Sequence, residues 1–427
     1  MGESVLIDAY VRRDGALYCE GVAAEQIALE AGTPAFVYSG AVIRDRYRKL
    51  TAALNGVPHR VHYSLKANAN RAILKLLLEL GAGVDVVSGG ELFRALRAGF
   101  TGRDIIFGGV GKTAGELREA LEADVKLINV ESEAELRLLS GIAAELGVMA
   151  PVGFRINPEV PVANAHAFIA TGSKGHKFGI PFGDAIDVVR TALTLPNIRV
   201  LGLDMHVGSQ LSTFDPYRAG LERMADLAEH MLGLGAALQF VDIGGGLPVS
   251  YGDGATDPDL GSYAALITPV IKDLGAELLV EPGRFFTAAS GVLLTRVLYR
   301  KKSGGKSYII VDSGMTELLR PSHYSAYHLI EAAKPNGQRV TADVVGPVCE
   351  TGDFLALDRE MDDVAPGDLV VIHTTGAYGF VMSSNYNSRP KAVEVLVEGK
   401  RYAVVTARES YDDLVRLEQD NPTWRTA

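Results

Sequence analysis

Cysteine is scarce: Cys19 and Cys349 are the two in 427 residues. That count excludes a disulfide framework and suits a reducing cytoplasm. Long apolar runs are also missing, and stretches such as Leu76-Leu77-Leu78 are too short and too interrupted to span a bilayer. No basic run occurs and the formal net charge is -10, which argues against nucleic acid or an acidic membrane as partner. The first residues carry Glu3 and Asp8 and lack the basic-then-apolar layout of a signal peptide, so export is not expected. No repeat or low-complexity tract is present. What remains is the composition of a soluble globular protein, 47% apolar and 22% charged, long enough for two substantial cores.

From Thr33 to about residue 289, short β-rich runs alternate with amphipathic helical segments. The runs are Ala35–Tyr38, Arg60–Leu65, Gly83–Val87, Ile105–Phe107, Lys126–Val130, Val152–Ile156, Val200–Val207, Phe240–Ile243 and Glu277–Glu281. Helices are expected between them, for instance over Ser132–Leu146 and Tyr217–Leu234, and one starts near Asn68 or Asn70. The count is about that of an eight-stranded (β/α) barrel. Strand alternation then sorts the side chains. Leu201, Leu203, Met205 and Val207 are assigned to the outer face, leaving Asp204 and His206 inside. The same rule turns Lys66, Asp85, Arg155, Asp242 and Glu281 inward near C-terminal strand ends. Those ends carry the active site of a (β/α) barrel, but an open doubly wound sheet places ligands there too, so alternation leaves both open.

After about residue 290 the runs are β-branched, with turn residues between them: Val292–Tyr299, Ser307–Val311, Arg339–Val345, Leu369–His373, Ala392–Val397 and Arg401–Val405. Helices are expected here only over Tyr324–Ala333 and near Ser410–Gln419. The fold expected is therefore α/β, a TIM-type (β/α)8 barrel over residues 31–289 with a second all-β domain, sandwich or barrel. That second domain takes in residues 290–427 and the first 30, where Ser4–Tyr10 and Ala16–Glu20 read as strands.

Each polar motif is weak alone. Lys66 reads as a solvated charge, and Gly244-Gly245-Gly246 as a tight turn without P-loop or dinucleotide spacing. Glu281-Pro282-Gly283-Arg284 reads as a salt-bridged loop, His206 as a structural histidine and Cys349 as a small buried hydrophobe. Together they acquire a meaning. A lysine, a glycine turn suited to phosphate, a carboxylate and a histidine at one barrel mouth describe a pyridoxal phosphate site.

The motifs Tyr63–Asn68, Val84–Glu91, Thr171-Gly172 through Lys177–Ile180, His206–Gln210, Asp242–Gly246 and Glu281–Arg284 resemble those of the fold-type III pyridoxal-phosphate decarboxylases. Arg320-Pro321 with Tyr324, Gly346–Asp353, Gly376–Gly379 and Ser384–Pro390 extend the resemblance nearly end to end, and point to the bacterial diaminopimelate decarboxylase branch. This resemblance implies that Lys66 holds pyridoxal 5'-phosphate as a Schiff base, with Asp85 beside the cofactor, His206 stacked on the ring and Glu281 on the ring nitrogen. It implies phosphate contacts from Gly244, Gly245, Gly246, Ser209 and the turn of Glu281, Pro282, Gly283 and Arg284, closed by Tyr378. Arg284, Arg320 and Tyr324 are implied to hold the distal carboxylate, with Tyr378 near the substrate, Glu350 to meet the distal amine and Cys349 to supply a proton. In the family Cys349 and Glu350 come from a second subunit, so a homodimer is implied, and no metal.

The expected reaction is decarboxylation of meso-2,6-diaminoheptanedioate to L-lysine. Two arginines and a tyrosine suit a distal carboxylate and fit poorly with the bare ammonium tail of ornithine or lysine. The other readings on this scaffold are decarboxylation of another amino acid or a catalytically inactive binding protein. Against the family pattern stand Leu247-Pro248, Phe285-Phe286 and Lys174-Gly175-His176.

Overall fold

The computed structural model describes residues 9–161 and 175–426. The expected strand residues Ser4–Asp8, the motif residues Thr171-Gly172 and the variant position Lys174 lie outside them. The chain divides into two compact units, Gly40–Ser250 with Gly254–Ala289, and Met1–Ser39 with Tyr251–Asp253 and Ser290–Ala427.

The first unit is a closed barrel. Its parallel strands are His59–Ser64, Gly83–Val86, Ile105–Phe107, Leu127–Val130, Ala150–Asn157, Ile198–Met205, Phe240–Asp242 and Glu277–Val280. Glu277–Val280 pairs back onto His59–Ser64, closing the ring. That closure decides between a barrel and an open sheet. The helices start where short polar side chains cap them: Asn70 accepts from the Ala72 amide, Ser88 from Glu91, Thr113 from Glu116 and Ser132 from Glu135. The helix Arg71–Glu79 buries Ile73, Leu74, Leu76 and Leu77 against the barrel wall, which fixes the direction in which the preceding strand delivers Lys66.

Inside the barrel, Arg60 pairs with Asp104 at 2.5 Å and Lys126 with Glu277 at 3.7 Å. An apolar layer of Ile106, Leu127, Leu201 and Leu279 follows, with Phe240 packed on it. The strands carrying these residues are not all neighbours, so the side chains can meet only in the interior. Leu201 is therefore inside, not outside as simple alternation has it. The register between Ile198–Met205 and Ala150–Asn157 slips between Val200 and Gly202, and this bulge resets the alternation before Asp204.

The second unit is mostly β. Its main sheet runs Phe354–Asp362, Arg339–Val345, Lys306–Val311, Gly291–Ser303, Ala35–Ser39, Val393–Glu398 and Arg401–Thr406 in hydrogen-bonded order, with Leu369–Ile372 also paired to Gly291–Ser303. The strand Ala35–Ser39, expected in the barrel, pairs instead with Gly291–Ser303 and Val393–Glu398. All five of its residues are buried, and a run buried on both faces reads alike in either kind of sheet. The helix expected over Tyr324–Ala333 is Arg320–Tyr324 alone; Ser325 turns left-handed (φ 52°) and Ile330–Ala332 continues as a strand beside Leu369–Ile372. A small sheet of Tyr10–Arg13, Ala16–Cys19 and Val22–Ala23 is tied to the unit by the Tyr10 hydroxyl, 2.9 Å from the Val37 carbonyl and 2.7 Å from that of Ser290. Among the described residues no helix is long and apolar enough to cross a membrane.

Candidate active site

The C-terminal strand ends of the barrel gather most of the residues singled out in the sequence. His59–Ser64 ends in a single helical turn, Leu65–Ala67, that sets Lys66 Nζ 3.3 Å from Asp85 Oδ2. Ser64 Oγ donates to the same Asp85 oxygen at 3.0 Å and also lies 3.0 Å from the Glu281 carbonyl, so neighbouring strand ends are locked together. The turn after Glu281 packs directly on this corner. A Cβ on Gly283 would stand 2.9 Å from Ala67 Cβ and 3.1 Å from Ser64 Cβ, leaving no room there for a side chain.

Gly244–Gly246 form a tight turn on the next strand end. Gly244 and Gly246 have φ of 68° and 116°, and a Cβ on Gly245 would approach the Glu281 carbonyl oxygen to 2.4 Å. The Gly244 amide donates to Asp242 Oδ1 at 2.9 Å and the Gly245 amide to His206 Nδ1 at 3.2 Å, so the turn, the histidine and the carboxylate form one connected set. An amide can only donate, so Nδ1 is an acceptor. Burial, then Arg155 and Lys66, pushes the His206 pKa well below its ordinary value, which keeps the ring neutral and suited to stacking on an aromatic face. Arg284 opens the short helix Arg284–Thr287 and is buried, with Nε and Nη2 at 3.3 and 3.2 Å from Ser209 Oγ.

Phe285 and Phe286 belong to the barrel wall. Phe286 is buried between Tyr47 and Tyr63, and the Arg46 guanidinium sits 4.9 Å above the Phe285 ring.

Three carboxyls converge behind this rim. Ligand atoms of Asp204, Asp242 and Glu281 lie within 4.8 Å of one another, all buried. Burial, then repulsion from Asp242, Asp85 and Asp204, pushes the Glu281 pKa well above the ordinary carboxylate value; burial, then Asp85, raises that of Asp242 to about 7 against the lowering pull of the Gly244 amide, Glu281 and Arg155. Arg155 stays charged nearby: burial opposes its charge, but Glu131, 3.0 Å away, then Asp204, Glu281 and Asp85 outweigh it. One oxygen each of Asp204 and Asp242 has no hydrogen-bond partner among the described residues. Such a set accepts a further cation, and the protonated nitrogen of a pyridine ring is one. A lysine at the mouth, a neutral histidine, a glycine turn and this carboxyl cluster all fit pyridoxal phosphate.

The remaining residues singled out in the sequence lie in the β unit. Arg320 and Tyr324 start and end the helix Arg320–Tyr324, with Arg320 buried. Cys349 and Glu350 are exposed on the loop between Arg339–Val345 and Phe354–Asp362. That loop is wound around one carboxylate: Asp353 accepts from the Met315 amide at 2.6 Å and the Val348 amide at 2.7 Å, while the Cys349 amide donates to Asn387 Oδ1 at 2.7 Å. Tyr378 holds a left-handed backbone (φ 56°), uncommon for a large side chain.

Sequence reasoning gave no role to Ser64 or to Glu131, which clamps both Arg155 and the Gly179 amide. It also passed over His328, which contacts Arg320. The sequence carried no signal for His328, because the helix that bears Arg320 ends at Tyr324.

Comparison with known proteins agrees with this geometry. Residues 41–288 match the family model described as pyridoxal-dependent decarboxylase, pyridoxal binding domain. The chain is 46% identical to the diaminopimelate decarboxylase of Pseudomonas fluorescens over 96% of its own length and 98% of the relative's. It is 42% identical to that of Aquifex aeolicus, over 96% and 97%. Among solved structures, diaminopimelate decarboxylase from Helicobacter pylori, complexed with L-lysine, superposes with a TM-score of 0.89 at 39% identity, covering 92% of this chain and 98% of that one. The chain therefore belongs to the pyridoxal-dependent decarboxylases, in their diaminopimelate decarboxylase branch.

Proposed function

We propose that the protein removes one carboxyl group from meso-2,6-diaminoheptanedioate, using pyridoxal 5'-phosphate, and releases L-lysine and CO2. The observation that carries this reading is the near-full-length match to diaminopimelate decarboxylases, joined to a barrel mouth where Lys66, Asp85, His206 and Glu281 meet. The bound cofactor supplies the electron sink that makes loss of the carboxyl group feasible.

The chain's own residues do the rest. Lys66 anchors the cofactor, and Asp85 holds the lysine's ammonium group in place. Neutral His206 covers the ring, and Glu281 holds the proton on its nitrogen. Gly244–Gly246, Ser209 and the Glu281–Arg284 turn bind the phosphate. Arg284, Arg320 and Tyr324 take the carboxylate that is kept, Glu350 meets the distal amine, and Tyr378 closes the site. Breaking the C–C bond leaves an electron pair on carbon, and the thiol proton of Cys349 forms the new C–H bond. Because Cys349 and Glu350 stand on an exposed loop, the reading includes a homodimer whose subunits complete one another's sites. The scarcity of cysteine favours the cytoplasm as its location.

Borohydride reduction of the purified holoenzyme followed by peptide mapping tests the anchor. The cofactor is expected on Lys66, and its recovery on any other lysine would overturn the assignment.

A further inference from the structure

Arg320 is held from two sides within the β unit. Its Nη1 lies 2.9 Å from His328 Nε2, and its guanidinium carbon lies 4.6 Å from the centre of the Tyr251 ring. Tyr251 meets the His328 ring edge-on, with centroids 5.1 Å apart and planes at 86°. All three side chains are buried, His328 completely.

The other face of the imidazole fixes its chemical form. His328 Nδ1 lies 2.8 Å from the His373 carbonyl oxygen. A carbonyl only accepts, so Nδ1 carries the hydrogen; a guanidinium only donates, so Nε2 must offer a lone pair. One form satisfies both contacts, the neutral ring protonated on Nδ1. A second proton would point a hydrogen and a positive charge at Arg320. The ring's backbone is fixed as well, because Arg359 Nη1 donates to the His328 carbonyl at 2.7 Å.

A neutral partner has a specific consequence. An aspartate or glutamate at this place would engage the guanidinium fork itself and cancel the charge that is to attract a ligand carboxylate. An imidazole lone pair orients one nitrogen and brings no negative charge of its own.

We propose that His328 is a positioning residue for substrate selection: as a neutral acceptor it aims Arg320 at the distal carboxylate of the substrate. This rests on the reading above that Arg320 takes that carboxylate. D-Lysine, which is meso-2,6-diaminoheptanedioate without that group, is the control ligand.

The test compares wild type, His328→Leu, His328→Gln and His328→Glu in the loaded enzyme. His328→Leu is expected to raise KM for meso-2,6-diaminoheptanedioate about 10- to 100-fold, with kcat changed less than about 3-fold. His328→Gln, whose amide oxygen can accept, restores most of the loss. His328→Glu does not, and it reads the same effect should the leucine variant fail to fold. D-Lysine affinity, read from the cofactor's absorbance, stays the same in every variant. An unchanged KM in both His328→Leu and His328→Glu, or D-lysine weakened in parallel, overturns the proposal. Arg320→Met separates the two readings. If it leaves KM unchanged, the carboxylate assignment of Arg320 fails; if it alone raises KM, the role of His328 fails.

Discussion

Asp204 and Asp242 face each other in register on adjacent parallel strands inside the barrel, and one oxygen of each is unpartnered among the described residues. Two buried carboxyls at this separation cannot both ionise freely, and the Asp242 carboxyl is pushed up to about 7, first by burial. The folded chain thus keeps a proton that an unfolded aspartate releases near about pH 4. Between those values the folded state binds more protons than the unfolded one, so its stability falls as pH rises through the window. The thermal midpoint of the cofactor-free protein is expected to drop between about pH 4 and 7, beyond the change seen in Asp242→Asn. Identical pH slopes in the two proteins would contradict the assignment.

The glycine turn gives a sharper steric test. A Cβ on Gly245 would come within 2.4 Å of the Glu281 carbonyl oxygen, so Gly245→Ala must displace the turn or the strand end. Cofactor affinity is expected to fall by about 10-fold or more, measured by equilibrium dialysis, since both the phosphate turn and the ring-nitrogen partner move. Retention of wild-type affinity would show that the turn does not bind the phosphate.

Phe286 tests whether the departure from the family pattern concerns packing or selection. Its side chain is fully buried against Tyr47 and Tyr63. Phe286→Leu is expected to cost about 1 kcal/mol and Phe286→Ala about 3–5 kcal/mol of stability in denaturant unfolding. KM for the substrate in Phe286→Leu is expected to stay within about 2-fold of wild type, because the ring lies in the wall. A changed substrate preference with unchanged stability would place the ring in the pocket.

Subunit sharing is accessible by mixing. Lys66→Ala and Cys349→Ala are each expected to be inactive alone. If Cys349 completes the partner's site, randomly reassembled mixtures recover about a quarter of the wild-type sites, because half the dimers are mixed and each has one intact site. No recovery from refolded mixtures that size analysis shows to be dimeric would put both residues in the same subunit's site.

Much of this site was legible because strand alternation is a strict rule. Asp85, Asp204 and Asp242 follow from it, since a strand end that delivers one polar side chain inward delivers its neighbour outward; Lys66 and Glu281 stand just past their strands, Lys66 on the turn Leu65–Ala67. Leu201 escaped the rule because a bulge inserts a residue, and nothing in a β-rich run marks the slip. Ala35–Ser39 was recognisable as a strand but not as a member of its sheet, since sheet membership depends on partners more than 250 residues away. The stretch after Tyr324 looked helical by composition, yet the left-handed Ser325 and the pairing of Ile330–Ala332 with Leu369–Ile372 outweigh local propensity. Phe354–Asp362 gave no clear β signal; its charged outer face is a consequence of pairing with Arg339–Val345.

The most direct measurement is product analysis after the loaded enzyme meets meso-2,6-diaminoheptanedioate, L-lysine and L-ornithine separately. The expected result is one CO2 and one L-lysine per molecule of meso-2,6-diaminoheptanedioate, with the other two essentially untouched. Release of CO2 from lysine or ornithine, with none from the dicarboxylate, would contradict the assignment of Arg284, Arg320 and Tyr324 to a distal carboxylate.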